Sequence, residues 1–151
     1  MELNDIDNLK ERDDVRDLID KGFQFPYSEY LEIVDEIKAY RFGHDVEDEH
    51  SKNHETVYVQ KYKYTKKPLP PNVMHTCALS CYVSEESAEA TLKNFMRFRK
   101  NIKLRMGNSL LIGILINGHG FVSTPDSNTH FNFFQKDCCN MHEIFRLHKV
   151  L

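Results

Sequence analysis

Apolar side chains recur at helical spacing in three stretches of the chain. The first stretch covers residues 5–20, and the second covers 28–43, where Ser28 is a candidate N-cap. The third covers 84–105, where Ser84 is the candidate N-cap. A spacing of three and four residues places such side chains on one face of a helix, and a serine before the first turn is typical of an N-terminus. The pattern therefore predicts two N-terminal helices and one central helix.

Alternating apolar and polar positions predict strands in the remaining stretches. The predicted strands are residues 56–65, 73–83, 109–116, 120–124 and 129–135. Asn117 and Gly118, between the third and fourth of these, are typical of a hairpin turn. The tail, 141–151, fits a strand or a short helix, and the strand is preferred.

This order of elements indicates an α+β fold, because helices come early and the strands follow one another as in a meander. We expect a largely antiparallel sheet of about five to six strands with the central helix packed on it. The 151 residues fit a single domain over 1–151. Residues expected in the core include Phe95, Met96, Leu111, Ile112 and Ile114.

Composition excludes several classes of protein. The hydrophobic fraction of 40% supports a real core and excludes wholesale disorder. The longest apolar run, 110–116, is far shorter than the roughly 20 residues of a membrane span. The acidic start lacks the apolar segment of a signal peptide, and the neighbouring Cys138 and Cys139 suit reduced thiols. These features predict a soluble cytoplasmic protein without a membrane partner.

The net charge of −3 hides an uneven distribution along the chain. Residues 1–60 carry 17 acidic and 7 basic side chains, whereas residues 61–105 carry 3 acidic and 10 basic ones. Either the acidic part neutralises the basic part within the fold, or the basic part meets an anionic partner. Both interpretations stay open at this stage.

Tyrosines alternate with lysines in residues 58–67, and further cations follow in the central helix, including Arg97, Arg99, Lys100 and Arg105. Lysine contacts phosphate, and exposed tyrosine can stack on a base. The sequence thus predicts a binding domain whose partner is a protein or an anionic, nucleotide-like molecule, with nucleic acid as an alternative. Its predicted ligand-binding residues are Tyr58, Tyr62, Lys63, Tyr64, Arg97 and Lys100. A half-buried strand with lysine stems over apolar surface explains the same alternation.

Two histidines on predicted strands, His75 and His130, offer a competing catalytic hypothesis. Two imidazoles that face one cleft can divide acid and base work on a phosphodiester without a metal. The layout resembles the two-histidine phosphoesterases, whose motif is His, any residue, then Thr or Ser, present twice. Here the third positions are Cys77 and Asn132, so the hydroxyls that would hold the phosphate are missing. Two partly buried structural histidines are the alternative interpretation.

No cofactor is expected, with zinc as the alternative. Its ligands would come from residues that suit zinc, namely His75, Cys77, Cys81, Cys138, Cys139 and His142. A three-residue gap along a strand separates Cys77 from Cys81 by about 13 Å, which is too far for one ion. Small buried hydrophobic side chains explain these thiols without a metal. The three histidines His44, His50 and His54 lie in a polar stretch, which we interpret as a solvent-exposed loop.

Arg41 stands out within Tyr40-Arg41-Phe42-Gly43. The planar guanidinium of an arginine at a corner can hold an anionic ligand. The end of the predicted helix explains Gly43 without any ligand.

Overall fold

The computed structural model describes residues 1–46 and 52–151 and has an α+β fold. The described strands are Leu31–Glu32 (β1), Ile37–Gly43 (β2), Leu79–Tyr82 (β3), Ser109–Leu115 (β4), Gly120–Val122 (β5), His130–Gln135 (β6) and Phe145–Val150 (β7). They form an antiparallel sheet of seven strands in the order β1-β5-β6-β3-β2-β4-β7. The predicted class and antiparallel pairing are confirmed, and the sheet is larger than expected.

Helices surround the sheet at several points. The described α-helices are Arg12–Asp20 (α1), Val57–Lys61 (α2), Glu85–Phe98 (α3), Ile102–Met106 (α4) and Met141–Ile144 (α5), with 3-10 turns at Leu3–Asn8, Tyr27–Glu29 and Val73–Cys77. Ser84 caps α3 as predicted, since its Oγ accepts from the Ser87 N–H at 3.2 Å. The predicted central helix is interrupted at Asn101, whose φ of 62° is left-handed.

The helix predicted over residues 28–43 is wrong, because most of that stretch is extended. β2 lies between β3 and β4 in the middle of the sheet. Ala39, Tyr40 and Arg41 are buried in succession, so both faces of this strand are covered. A strand that is buried on both faces has a continuous apolar run instead of alternation, and such a run can match helical spacing.

The strand predicted over residues 56–65 is also wrong. Thr56 caps α2, because its Oγ1 accepts from the Val59 N–H at 3.3 Å. Tyr58 and Tyr62 lie four residues apart on this short helix and pack on the same hydrophobic cluster. Residues four apart lie on the same side of a strand and also on the same side of a helix. The alternation of tyrosines and lysines therefore predicts a strand where the chain forms a helix.

The remaining strand predictions agree better with the structure. The strands predicted at 109–116, 120–124 and 129–135 correspond to β4, β5 and β6. The hairpin predicted at Asn117 and Gly118 is wrong, because β4 and β5, which this turn connects, are not neighbours in the sheet. Only the second half of the stretch 73–83 is a strand, because a 3-10 turn occupies Val73–Cys77. In the tail, α5 precedes β7, so the preferred strand is confirmed from Phe145 onward.

The sheet is packed on both faces. Tyr40, Tyr82 and Leu110 point to the same face and pack against Ala88 and Leu92 of α3. We call this the helix face. Further along it, α1 and the turns around it form a second cluster that includes Leu9, Leu18, Phe25, Tyr30 and Phe134. On the opposite face, a third cluster includes Leu79, Cys81, Leu111, Phe133 and Phe145.

The expected core residues are only partly buried. Leu111 is buried, whereas Phe95, Met96 and Ile112 are half-buried, and Ile114 is 49% exposed. α3 therefore packs on the sheet through Ala88 and Leu92 and turns Phe95 toward solvent at its C-terminal end. Within residues 1–46 and 52–151, no helix combines the length and apolarity needed to cross a bilayer.

β2 and β3 are neighbours in the sheet but pair at a single position, Tyr40 with Tyr82. By contrast, β2 pairs with β4 along its whole length, from Ile37 to Gly43. The two strands separate beyond Tyr40, and Asn53, which precedes α2, lies in this opening with its carbonyl 3.1 Å from Arg41 Nη2. The opening between β2 and β3 positions the site described next.

Candidate functional site

One candidate site is a cleft of about 530 Å³ on the helix face, bounded by α2, by α3 and α4, and by β2, β3 and β6. Its lining combines aromatic, cationic and hydrogen-bonding side chains, among them Phe42, Lys61, Ser80, Tyr82, Phe95, Arg99, Arg105 and His130. Gln60 Nε2 reaches the Arg105 carbonyl at 3.4 Å, which joins α2 to α4 across one end. The volume lies within the range of pockets for small ligands.

Aromatic rings form the floor of this cleft. Phe42 and Tyr82 stack with their centroids 5.3 Å apart and an interplanar angle of 26°. Phe95 meets Phe42 edge-on at 6.2 Å. Both Phe42 and Tyr82 point to the helix face because they alternate with Arg41 and Cys81 along their strands. Burial raises the pKa of Tyr82, so its hydroxyl stays protonated at neutral pH.

Cations surround this aromatic floor. Lys52, Lys61, Arg99 and Arg105 line the cleft, whereas Glu55 is the single carboxylate in its described lining. The Arg99 guanidinium lies 4.2 Å from the centroid of Phe95, in cation–π geometry. No ion pair to Lys61, Arg99 or Arg105 is present in the described part of the chain. Among the described residues of the lining, cations therefore outnumber carboxylates.

A smaller recess of about 50 Å³ adjoins the cleft at the opening between β2 and β3. Phe42, Ser80 and Arg105 line both spaces, and Arg41 and Asn53 line the recess alone. Arg41 Nη1 donates to the Ser80 carbonyl at 2.5 Å. The recess thus has a buried guanidinium in its wall.

A hydroxyl, an imidazole and a carboxylate follow one another along the cleft wall. His130 Nε2 and Ser80 Oγ are 3.0 Å apart, and His130 Nδ1 lies 3.8 Å from Asp126 Oδ2. The other oxygen of Asp126 accepts from the backbone N–H of Asn128 and of His130, which fixes its orientation. Burial lowers the pKa of His130, and the nearby Asp126 opposes this shift. A neutral His130 can therefore accept a proton from Ser80.

His75 lies elsewhere on the molecule, in a 3-10 turn and not on a strand. Its Nδ1 is 2.7 Å from the Tyr30 hydroxyl, and its Nε2 is 3.6 Å from Glu29. None of the described cavities is lined by both His75 and His130. Each histidine has its own partners, and joint catalysis by the pair stays a prediction.

The structure does not gather the predicted ligand-binding residues on one strand, because residues 57–61 are helical. Tyr58 is 2% exposed and belongs to the core, while Tyr64 is 78% exposed. Lys63 forms an ion pair of 2.8 Å with Asp14, so it serves intramolecular charge neutralisation. Arg97 lies over the ring of Phe98, and Lys100 is exposed. A ligand-binding role for Tyr58, Tyr62, Lys63, Tyr64, Arg97 and Lys100 stays a prediction.

The cysteines are dispersed. Cys77 is buried in the cluster around α1, and Cys81 is buried on the opposite face of the sheet. Cys139 donates from Sγ to the His119 carbonyl at 3.1 Å, while Cys138 is exposed. The His142 ring packs edge-on against His54 at 4.7 Å. In the part of the chain that the structure describes, no three His, Cys, Asp or Glu residues are placed to hold a metal ion. His50 of the histidine trio lies outside that part.

The sequence predicted the cations of this site but not its aromatic floor. Arg99 and Arg105 belong to the basic stretch noted above, whereas Phe95 was assigned to the core. Ser80 has no local signal, because its partner His130 follows 50 residues later on β6 and meets it only across the sheet. Comparison with protein-family models, curated proteins and solved structures finds no match for this chain.

Proposed function

We propose that the protein binds a small planar anion, such as a nucleotide, in the cleft on the helix face. The observation that carries this proposal is an aromatic floor of Phe42, Tyr82 and Phe95. It is ringed by cations, of which Lys61, Arg99 and Arg105 form no ion pair within the described residues. A flat ring can pack on the aromatic side chains, and an attached anionic group can approach the cationic rim. This proposal keeps the binding role expected from the sequence and moves it to other residues.

Shape and chemistry support the same ligand class. A nucleotide-sized molecule fits a space of about 530 Å³. Stacking on an aromatic side chain is worth about 1–3 kcal/mol per base. Arg99 already lies over Phe95 at 4.2 Å, which fixes one donor beside the floor. Cations outnumber the one carboxylate, Glu55, in the described lining, which disfavours a cationic ligand.

Isothermal titration with adenosine, guanosine, cytidine and uridine 5′-monophosphates tests this proposal. We expect saturable binding by at least one of them and about tenfold weaker binding by its uncharged nucleoside. Arg99→Gln should weaken nucleotide binding about 5–20-fold, by loss of one charge-assisted contact. Arg97→Gln is the matched control, because Arg97 lies two residues away and outside the cleft lining.

Two results would contradict the proposal. One is the absence of saturable binding by all four nucleotides. The other is an equal loss in Arg97→Gln and Arg99→Gln, which would favour the surface predicted from the sequence. A labelled single-stranded oligonucleotide in the same titration tests the nucleic-acid alternative, whose affinity should fall steeply with salt.

Phosphoester hydrolysis in the same cleft is a second candidate function. The distance of 3.0 Å between His130 Nε2 and Ser80 Oγ favours it. In such a reaction His130 takes the Ser80 proton, Oγ bonds to phosphorus, and the leaving oxygen departs with the proton from His130. Water then attacks phosphorus while His130 takes its proton, the Oγ–P bond breaks, and Ser80 Oγ recovers the proton from His130 as the phosphate product leaves. With bis(p-nitrophenyl) phosphate, we expect His130→Ala to abolish turnover and His75→Ala to retain it. Loss in both variants would instead support the two-histidine mechanism.

A further inference from the structure

Arg41 is a buried charge at the bottom of the opening between β2 and β3. Its side chain is 5% exposed, although it carries a full positive charge. A buried charge is costly unless an opposite charge and hydrogen bonds compensate it. In the described part of the chain, no carboxylate forms an ion pair with Arg41. Within the described residues, the Arg41 guanidinium is therefore a buried charge without an opposite charge in contact.

The hydrogen bonds of Arg41 are incomplete as well. Nη1 donates to the Ser80 carbonyl and weakly to Cys81 Sγ, and Nη2 donates to the Asn53 carbonyl. Nε is buried without an acceptor. A guanidinium has five N–H donors, so the Nε N–H and one N–H of Nη2 have no acceptor in the described part of the chain. Open guanidinium donors of this kind can hold an oxyanion.

Among the described residues, Glu55 is the one carboxylate that lines the recess, together with the cations Lys52 and Arg105, and it forms no ion pair with Arg41. Phe145 lies under the guanidinium at 5.9 Å, and His54 lies close enough for the Arg41 charge to affect it. Burial lowers the pKa of His54 to about 3, and the charge of Arg41 adds to the shift, so this histidine is neutral. The carbonyls of Ser80 and Asn53 offer dipoles but no net charge.

We propose that the recess beside Arg41 is an oxyanion site that takes the phosphate or carboxylate group at one end of the bound ligand. The recess opens into the cleft, since Phe42, Ser80 and Arg105 line both spaces. Its volume of about 50 Å³ suits a small group and not a ring. This inference rests on the proposed function for the planar part of the ligand, and it adds Arg41 to the cations of the rim as a contact for the anionic end.

Inorganic phosphate tests the recess without the planar part. We expect 20 mM phosphate to raise the melting temperature of the wild type by about 3–6 °C over chloride of equal ionic strength, for a Kd near 1 mM. Arg41→Gln should lose this rise, and Arg97→Gln should keep it. Acetate in place of phosphate reports on the carboxylate.

Should Arg41→Gln fail to fold, Arg41→Lys and the wild type still decide the matter. Lysine keeps the charge but lacks the planar, two-pronged donor group of arginine, so phosphate should raise the melting temperature of Arg41→Lys by at most half as much as that of the wild type. The 31P resonance of phosphate should also broaden when the wild type is added. Equal melting in phosphate, acetate and chloride for the wild type would overturn the site. An unchanged phosphate rise in Arg41→Gln or Arg41→Lys would overturn it too.

The nucleotide titration separates this site from the proposed function. If phosphate stabilises the protein through Arg41 but no nucleotide binds more tightly than phosphate, the oxyanion site is supported and the planar ligand is contradicted. If a nucleotide binds equally well to the wild type and to Arg41→Gln, the proposed function of the cleft is supported and the oxyanion site in the recess is contradicted.

Discussion

At the scale of single residues, Glu11 shows how burial changes a charge. Its Oε1 accepts from the Gln135 N–H at 3.4 Å, while its Oε2 and the Oε1 of Gln135 are both buried without partners. Burial raises the pKa of Glu11 to about 8. A protonated carboxyl can donate to the Gln135 amide oxygen, so the neutral form suits this site better than the carboxylate.

Glu11 should make stability depend on pH. Its folded-state pKa lies above the ordinary 4.5, so the folded state holds a proton that the unfolded state loses between about pH 4.5 and 8. Stability from this group is therefore present below pH 4.5 and is lost as the pH rises to about 8. We therefore expect Glu11→Gln to stabilise the protein more at pH 8 than at pH 5. The two changes in the free energy of unfolding should differ by on the order of 3 kcal/mol.

Urea unfolding of both proteins at the two pH values measures this difference. Glu2→Gln, an exposed carboxyl of the same chain, is the control and should behave alike at both. A Glu11→Gln effect that is equal at pH 5 and pH 8 would show that the carboxyl is ionised in the fold.

Two glycines with positive φ should respond differently to a methyl group. Gly107 ends α4 with a φ of 84°, and a Cβ there would lie 1.8 Å from the Gly43 carbonyl oxygen. Gly118, with a φ of 93°, has open space around the same position. We expect Gly107→Ala to cost about 3 kcal/mol or more and Gly118→Ala about 1 kcal/mol, as measured by chemical denaturation. Similar costs would mean that the chain around residues 43 and 107 can move apart.

At the scale of elements, local signals predicted the second half of the chain and failed in the first. Ser84 has a capping geometry that depends on three neighbouring residues, and β5 and β6, which pair with each other, are joined by the short segment 123–129. β2 has no such signal, because its long partner β4 lies about 70 residues away and both of its faces are covered. Short-range pattern therefore identifies hairpins and capped helices but not a central strand.

The candidate site shares this limit. Its cations cluster in sequence and could be predicted, since Arg99 and Arg105 belong to one stretch. Its floor joins Phe42 from β2, Tyr82 from β3 and Phe95 from α3. Only the sheet order brings these three rings together, so the type of ligand could be predicted but the location could not.

Two positions on α3 should separate its core contacts from its cleft contacts. Leu92 is fully buried against the sheet, whereas Phe95 is half-buried in the cleft. Leu92→Ala should cost about 2–5 kcal/mol of unfolding free energy. Phe95→Ala should cost only about 1–2 kcal/mol, less than its assignment to the core would predict, and should weaken nucleotide binding. Thermal or urea unfolding compares them, and a larger cost at Phe95 would reverse the orientation of the helix.

At the scale of the whole molecule, three hydrophobic clusters share one sheet. Cys77 belongs to the cluster around α1, and Cys81 belongs to the cluster on the opposite face. Burial raises the pKa of both thiols, so neither reacts from the folded state. The two thiols therefore report the opening of two different regions.

Thiol labelling should show whether these regions open together. We expect Cys138, which is exposed, to react on the order of 1000-fold or more faster than Cys77 and Cys81. The buried thiols react only after the fold opens, and the free energy of opening in a typical domain sets this ratio. Cys77 and Cys81 should react at similar rates if the molecule unfolds as one unit, as mass spectrometry of labelled peptides can measure. The chain unfolded in guanidinium is the control. Rapid reaction at Cys77 alone would show that the N-terminal cluster opens by itself.

The order of the strands also has a consequence for synthesis. β2 leaves the ribosome long before β4, its principal partner, and Leu9 bridges to Lys136 after most of the chain has been made. Pairings between such distant segments form slowly and leave strand edges exposed in the meantime. The nascent chain must therefore carry Tyr40 and Phe42 unpaired through much of translation, so its yield in cells should depend on chaperones more than on the stability of the finished fold.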